Sequence, residues 1–366
     1  MKFKIDSSAF TTALNDVSKA VATKTTIPEL TCVLVTARED EVILSSYDLN
    51  LAIVETVKTP VEEEGSVLLE AKTLIQIANT FDDQIFVETG SNDTVTIYSN
   101  TSHYKLLSMN VNNFPEIPNI SEDVSFEINQ GKFAEAVKQT IFAASKDDTK
   151  GVHCGVKFEI TNNNLKMVAL DGFRFAINNI DTAYFADSAS FVCPAKTLND
   201  VSTIAREDNG TIIVRKNSSH CEFEFGDCRV ITSLLTGNYL DYNKAIPTSE
   251  KFYVDVDKNA LLKTVKNTAV VINDRSRSPL KLSFTKEKGL TISAESTTGV
   301  ARNEFNVDYV SDDTFEIGIN NKYLEEALKS CNTDIVRIHF VAPNSPIWIT
   351  PTNSDNFTHL ILAVRL

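Results

Sequence analysis

Asp171-Gly172 and His153-Cys154 are the pairs with obvious chemical potential. A carboxylate beside a glycine offers an acid, and a thiol beside an imidazole offers a nucleophile with its base. Neither pair sits in a pattern that catalysis needs. There is no GxSxG elbow, Walker A loop, HExxH or clustered set of carboxylates. A nucleophilic Cys154 requires a depressed pKa and a positioned base, and the surrounding sequence displays neither. His220, Cys221 and Cys228 lie close in sequence, but a second pair of metal ligands is missing. The six cysteines (Cys32, Cys154, Cys193, Cys221, Cys228, Cys331) are dispersed without a CxxC and read as buried thiols. The expectation is a chain that is not an enzyme, with no catalytic residue, no metal and no cofactor.

Lysine is the other residue type whose spacing carries meaning. Lys19, Lys72, Lys132, Lys138, Lys196, Lys258, Lys263, Lys266, Lys322 and Lys329 fall on segments with helical periodicity, and Lys24, Lys146 and Lys150 follow such segments closely. Acids are richer between them, as in Glu39-Asp40-Glu41 and Glu62-Glu63-Glu64. Over 366 residues there are 49 acids against 35 Lys and Arg, a formal charge of −14. That balance excludes coating a polyanion by bulk attraction, yet leaves room for one surface on which lysines gather. The plain alternative is that these lysines solvate the outer faces of amphipathic helices. Glu325, Glu326 and Asp200 interrupt the basic pattern on the same segments.

The elements that hold these lysines repeat. Amphipathic helices are expected over Ser8–Val21, Ala71–Ala78, Gly131–Ala144, Ala195–Arg206, Lys258–Val271 and Asn321–Ser330, starting about every 60 to 65 residues. Each follows a short extended stretch such as Phe3-Lys4-Ile5 or Ser66–Leu69. Period-two alternation then marks strands, among them Thr31–Thr36, Glu41–Ser46, Leu51–Glu55, Gln84–Glu88, Thr94–Tyr98, Thr211–Val214 and Glu222–Phe225. Ser91-Asn92-Asp93 and Asp208-Asn209-Gly210 supply turns. One unit is thus a strand, a helix and about three strands, and two units make a domain. Proline-bearing joints at Asn113–Pro118 and at Asn238–Pro247, both expected to be extended, divide the chain into 1–120, 121–247 and 248–366. Read on its own, the repeat describes three tandem α+β domains of any purpose. No stretch approaches the roughly 18 apolar residues of a membrane span, and the start lacks the apolar region of a signal peptide, so an intracellular protein with no membrane partner is expected.

Several strings, in order and along essentially the whole chain, resemble the β subunit of bacterial DNA polymerase III, the sliding-clamp family. They are Thr26-Ile27-Pro28-Glu29-Leu30, Tyr47-Asp48-Leu49, Asn113-Phe114-Pro115, Leu170-Asp171-Gly172-Phe173-Arg174-Phe175-Ala176, Asn273-Asp274-Arg275, Ser345-Pro346 and the closing Leu362-Ala363-Val364-Arg365-Leu366. The resemblance implies a DNA clamp fold: three similar domains per chain, each of two strand-helix-strands units, two chains closed head to tail, helices lining the hole and sheets on the outer rim. It implies a non-catalytic replication protein of the cytoplasm, associated with the nucleoid, that encircles double-stranded DNA without reading sequence and confers processivity. Its implied partners are the replicative DNA polymerase, the clamp loader, other clamp-motif proteins of replication and repair, and a second copy of itself. The alternative is a clamp-like scaffold or mobile-element paralogue without a main replication role.

By position, the resemblance also assigns sites. The lysines named above, with Lys24, Lys146 and Lys150, become the DNA-facing set. A groove for a partner peptide with apolar and aromatic anchors falls on His153, Leu170, Gly172, Phe173, Arg174, Phe175, Leu240, Lys244, Ala245, Asn320, Tyr323, Asn344, Pro346, Leu360, Ile361, Leu362, Ala363, Val364, Arg365 and Leu366. Asn320 and Tyr323 are expected to gate it. His153, Leu240, Leu362, Ala363 and Val364 depart from the residues usual in the family, which implies a reshaped groove. Ring closure is expected to join Tyr104 and Leu106 to Val270 and Val271, without the family's acids over Gly299–Arg302.

Overall fold

The computed structural model describes residues 1–121, 123–161, 164–181, 188–206, 209–247, 249–273, 278–309, 311–354 and 356–366. Asp208, Asp274 and Arg275, three positions used above, lie outside the described residues.

Chain order repeats the strand-helix-strands unit. The first third holds β1 (Lys2–Asp6), α1 (Ser7–Val17), β2 (Cys32–Arg38), β3 (Glu41–Tyr47) and β4 (Leu51–Lys58). It continues with β5 (Val61–Glu63), β6 (Gly65–Glu70), α2 (Ala71–Ala78), β7 (Gln84–Thr89), β8 (Thr94–Tyr98) and β9 (His103–Leu107). Next come β10 (Val124–Asn129), α3 (Gln130–Thr140), β11 (Gly155–Thr161), β12 (Asn164–Leu170) and β13 (Arg174–Asp181). The unit recurs as β14 (Ala189–Pro194), α4 (Ala195–Ile204), β15 (Thr211–Lys216), β16 (His220–Phe225) and β17 (Cys228–Ser233). The last third holds β18 (Phe252–Asp257), α5 (Lys258–Ala269), β19 (Leu280–Thr285), β20 (Gly289–Ser296) and β21 (Gly299–Phe305). It ends with β22 (Phe315–Ile319), α6 (Asn321–Ser330), β23 (Ile335–Phe340), β24 (Ile347–Pro351) and β25 (Phe357–Ile361).

Each helix begins where its strand stops because the junction residue can cap it. Asp6, Glu70, Asp257 and Asn320 accept backbone N–H groups of the first turn with their side chains. Each then buries one stripe: Phe10, Leu14 and Val17 on α1, Leu261 and Val265 on α5, Leu324, Ala327 and Leu328 on α6. Several helices end earlier than the apolar periodicity predicts. The α-helix of Gly131–Ala144 stops at Thr140, whose hydroxyl donates back to the Ala136 carbonyl at 2.7 Å, and a 3-10 turn follows over Ile141–Ala143. Likewise Ser18–Ala20 is a 3-10 turn, and α4 and α5 end two residues short of the expected Arg206 and Val271.

The chain forms two compact units, residues 1–131 with 200–234 and residues 132–199 with 235–366, so the compact bodies do not coincide with the three repeats. In the first unit a five-stranded sheet runs β5-β1-β7-β8-β9 and an eight-stranded one runs β10-β15-β16-β17-β4-β3-β2-β6. In the second an eight-stranded sheet runs β14-β11-β12-β13-β25-β24-β23-β18 and a four-stranded one runs β21-β20-β19-β22. Each large sheet therefore joins two repeats by antiparallel pairing, β4 with β17 and β13 with β25. Both proline-bearing joints fold back over these seams. Phe114 and Ile117 pack on Tyr47, Ala52 and Ile231, and Tyr239 and Tyr242 pack on Val168, Leu170, Phe175, Ile177 and Leu360. The second joint is not wholly extended: Tyr242–Ala245 form a 3-10 turn, with Asp241 accepting from the Asn243 N–H. Pro247 restrains only Ile246, which is extended (φ −74°, ψ 118°).

Candidate functional site

The β13–β25 seam builds an apolar floor. Val168, Leu170, Phe175, Ile177, Tyr242 and Leu360 are buried together, with Tyr239 and Trp348 packed against them. Four large apolar side chains of the expected groove remain exposed, Phe173 and Leu240 at 56 % each, Leu366 at 57 % and Leu362 at 36 %. Between floor and rim the turn Asp171–Arg174 is locked by its own acid. Asp171 Oδ1 accepts from the Phe173 and Arg174 N–H groups at 2.9 and 3.1 Å, and Oδ2 accepts from Arg174 Nε at 3.1 Å. Gly172 takes the φ of +94° that this turn requires. Asp171 is thereby a turn-former, and its lone pairs are spent on structure rather than on proton transfer.

Arg174 is nearly buried. Its guanidinium lies 4.3 Å from the Tyr323 ring centroid and 5.4 Å from that of Phe142, and it pairs with both Asp171 and Glu326. Asn320 and Tyr323, the residues expected to gate the groove, both have structural duties. Asn320 Oδ1 caps α6 through the Lys322 and Tyr323 N–H groups, and Tyr323 carries the guanidinium. The terminal segment is held at two points, Leu362 N–H to the Phe173 carbonyl at 2.9 Å and Val364 N–H to the Gly318 carbonyl at 2.8 Å.

Not every assigned residue meets the same hollow. Asn344, Val364, Arg365 and Leu366 line a separate cavity of about 560 Å³ with Thr314, Glu316 and Pro343. Ile361 is a correction: at 1 % exposure it belongs to the core of the last repeat, because it faces away from Leu360 on the same strand. Ala363 leans on that core as well. Pro346 is half-buried just before β24, Lys244 pairs with Asp241 at 3.3 Å, and Ala245 is exposed. The His153 ring lies 5.4 Å from Tyr239, and its Nε2 is buried without a hydrogen-bond partner among the described residues. Sequence reading missed Val168, Ile177, Tyr239, Tyr242 and Trp348. The two tyrosines sit inside the second proline-bearing joint, where bulky aromatics signal a segment that packs rather than dangles.

Most of the lysines occupy exposed helix positions, among them Lys72, Lys132, Lys138, Lys196, Lys263, Lys266, Lys322 and Lys329. Lys24, Lys146 and Lys150 are exposed in the segments that follow helices, and Lys19 is half-buried. Several are already engaged. Lys146 pairs with Glu326, Lys329 with Glu325, and Lys150 donates to the Asp171 carbonyl at 2.9 Å. Lys258 is a second correction: its ammonium donates to the Cys331 carbonyl at 3.0 Å, just past the end of α6, so it stabilises a helix terminus instead of an outside phosphate.

Two sheet edges stand out. Strand β9 is the end strand of its sheet, with Leu107 75 % exposed. Tyr104 and Leu106 are half-buried, and the Tyr104 hydroxyl meets Thr80 at 3.1 Å. Strand β21 ends the four-stranded sheet, with Val300 70 % exposed, and Val270 beside α5 is 80 % exposed. Val271 packs against the core, which leaves Val270 the more available of the expected pair.

The remaining chemistry is structural. Burial, reinforced by Asp148 and Asp147, pushes the Cys154 thiol up, away from a reactive thiolate, and its S–H donates to the Asp147 carbonyl at 3.1 Å. His220 and Cys228 lie at opposite ends of the β16–β17 hairpin, paired with Ser233 and Phe225, too far apart to share an ion. Among the described residues no His, Cys, Asp and Glu cluster fits a metal, and no helix is long and apolar enough to cross a membrane.

Comparison with known proteins agrees along the whole chain. Residues 1–118, 127–241 and 243–365 match the N-terminal, central and C-terminal domains of the DNA polymerase III beta subunit. A beta sliding clamp of Staphylococcus aureus is 26 % identical, spanning 100 % of this chain and 99 % of its own. The crystal structure of the beta subunit from DNA polymerase of Streptococcus pyogenes superposes with a TM-score of 0.95 at 25 % identity, covering 100 % of both chains. The DNA polymerase sliding clamp of Bacillus subtilis shares the fold with a TM-score of 0.94 at 24 % identity, over 100 % of this chain and 99 % of that one. Six strand-helix-strands units, two seams that weld them and three consecutive domain matches lead to one assignment: the chain belongs to the DNA polymerase III beta subunit family.

Proposed function

We propose that this chain is the sliding clamp of a bacterial replicase, a non-catalytic processivity factor that encircles duplex DNA as a two-chain ring and tethers the polymerase. The observation that carries the reading is where the charge sits. A chain of net −14 places exposed lysines on helices that recur with its six repeated units. Gathered around a hole, such lysines attract phosphates weakly and without sequence preference, while the acids elsewhere repel DNA from other surfaces within a Debye length of about 8 Å. Weak contacts permit sliding, and enclosure supplies the persistence. Tethering then acts through effective concentration: a polymerase that lets go stays near its template.

Ring closure follows from the two free edges. Strand β9 of one copy, with Tyr104, Leu106 and Leu107, pairs with β21 of the next, while Val270 and Val300 complete the apolar contact. Partners, the polymerase and the clamp loader among them, enter by a short segment with apolar and aromatic anchors. It docks on the Leu170, Phe175 and Leu360 floor between Leu240, Phe173 and the terminal segment. The scaffold alternative has no observation of its own in its favour.

Light scattering at micromolar concentration tests the ring. The expected particle has twice the 40.5 kDa of one chain. A single-chain particle removes the mechanism, because one chain cannot close around DNA.

A further inference from the structure

A single row of side chains crosses six strands in direct register. Leu170 pairs with Phe175, Phe175 with Leu360, Leu360 with Trp348, Trp348 with His339 and His339 with Tyr253. Directly opposed residues share one face of a sheet, so the row is continuous in space. Its first half is the groove floor, against which Trp348 packs. Beyond it the His339 ring stacks on Trp348 at 4.7 Å and 4° between planes, and the Tyr253 ring follows at 6.3 Å, 46 % exposed on the end strand β18.

The charged and imidazole groups of this shelf are already engaged. The two His339 nitrogens meet Glu250 and Thr350, and Arg337 lies 3.9 Å over Tyr253 while bonding both Asp255 oxygens at 2.7 and 2.8 Å. What remains to a visitor is the ring edges of the row and the exposed side of Tyr253, a surface on which another aromatic side chain packs well.

We propose that the Trp348–His339–Tyr253 shelf is the second half of the partner-binding surface, seating an aromatic side chain of the same extended segment whose anchors fill the groove. The proposal rests on the groove reading above. Three strand spacings, about 14 Å, separate Leu360 from Tyr253. An extended chain covers that in about four or five residues. The aromatic residue therefore stands four or five positions from the anchor.

Fluorescence polarisation on the full chain tests it with three labelled peptides. One is a hexapeptide with adjacent leucine and phenylalanine anchors; the others extend it by six residues at either end, with one tryptophan five positions from the anchors. One extended peptide is expected to bind roughly five- to thirty-fold tighter than the hexapeptide. That gain disappears in Tyr253→Ala and when the peptide tryptophan becomes alanine, while hexapeptide affinity in Tyr253→Ala is unchanged and certifies the variant's fold. Equal affinity of all three peptides, or a gain that survives Tyr253→Ala, overturns the shelf and leaves the groove standing. A hexapeptide that fails to bind, or binds Leu240→Glu as well as the parent, overturns the groove reading and the shelf with it.

Discussion

Glu55 is a carboxylate whose environment departs far from ordinary water. It lies on β4 opposite Cys228 of β17, at the first seam, and one carboxylate oxygen is buried without a hydrogen-bond partner among the described residues. Burial, then the neighbouring Asp16, push its carboxyl up to about 7, against the opposing pull of Arg206. A folded-state pKa above the unfolded one gives stability that is complete below about 4.5 and is lost as pH rises through about 7. Glu55→Gln is therefore expected to raise the melting midpoint at pH 8 by roughly 2 to 4 °C. It should change little at pH 5, and equal shifts at both pH values would refute the buried-charge account. His359 has the opposite sign. Wholly buried on β25 with Nε2 3.0 Å from the Gln139 carbonyl, it is pushed down to about 3 by desolvation and stays neutral. Its contribution is present above pH 6.5 and lost as pH falls towards 3. Calorimetry from pH 7 to pH 4 should show a shallower loss of stability for His359→Phe than for the parent. Neither residue is legible in the sequence, since Glu55 alternates like any strand glutamate and His359 like any strand histidine; only the partner strand, 170 or so residues away for Glu55, makes them special.

At the scale of elements, more can be read from the sequence. Helix starts agree to within one residue because a capping side chain precedes a stripe of apolar residues, as at Asp257 before Leu261 and Val265. Helix ends are overrun because 3-10 turns keep the same apolar spacing for a few residues while changing the hydrogen bonding. The proposed groove is legible in part. Phe173 and Leu240 come from resemblance, whereas Tyr242 and Trp348 enter it through folding of a joint and through cross-strand register, which no local pattern encodes. The terminal segment, Leu362–Leu366, is fixed by two backbone bonds and otherwise half exposed. Deleting Ala363 to Leu366 is expected to abolish binding of the anchor hexapeptide, with at most a small fall in melting temperature. Retention of full affinity by the truncated chain would detach the tail from the groove.

For the whole molecule, composition is a poor guide and placement a good one. Net charge alone points away from DNA, while Lys263 and Lys266, exposed opposite the buried Leu261 and Val265 on α5, point towards it. Lys263→Glu with Lys266→Glu is expected to weaken retention on duplex DNA and to flatten its salt dependence by about one unit of slope for each phosphate no longer neutralised. Peptide affinity should be untouched, since neither lysine belongs to the groove. An unchanged salt slope would return these lysines to simple solvation of a helix face.

The two welded seams have a consequence for how the polypeptide tolerates being broken. Backbone bonds from β4 to β17 and from β13 to β25, with joint aromatics laid across them, hold neighbouring repeats together independently of the peptide link between them. A protease nick near Ala245, in the exposed turn, would leave its two fragments clasped side by side. The same gene could accordingly be split there into two coexpressed pieces, one about twice the length of the other, that reassemble without a tether.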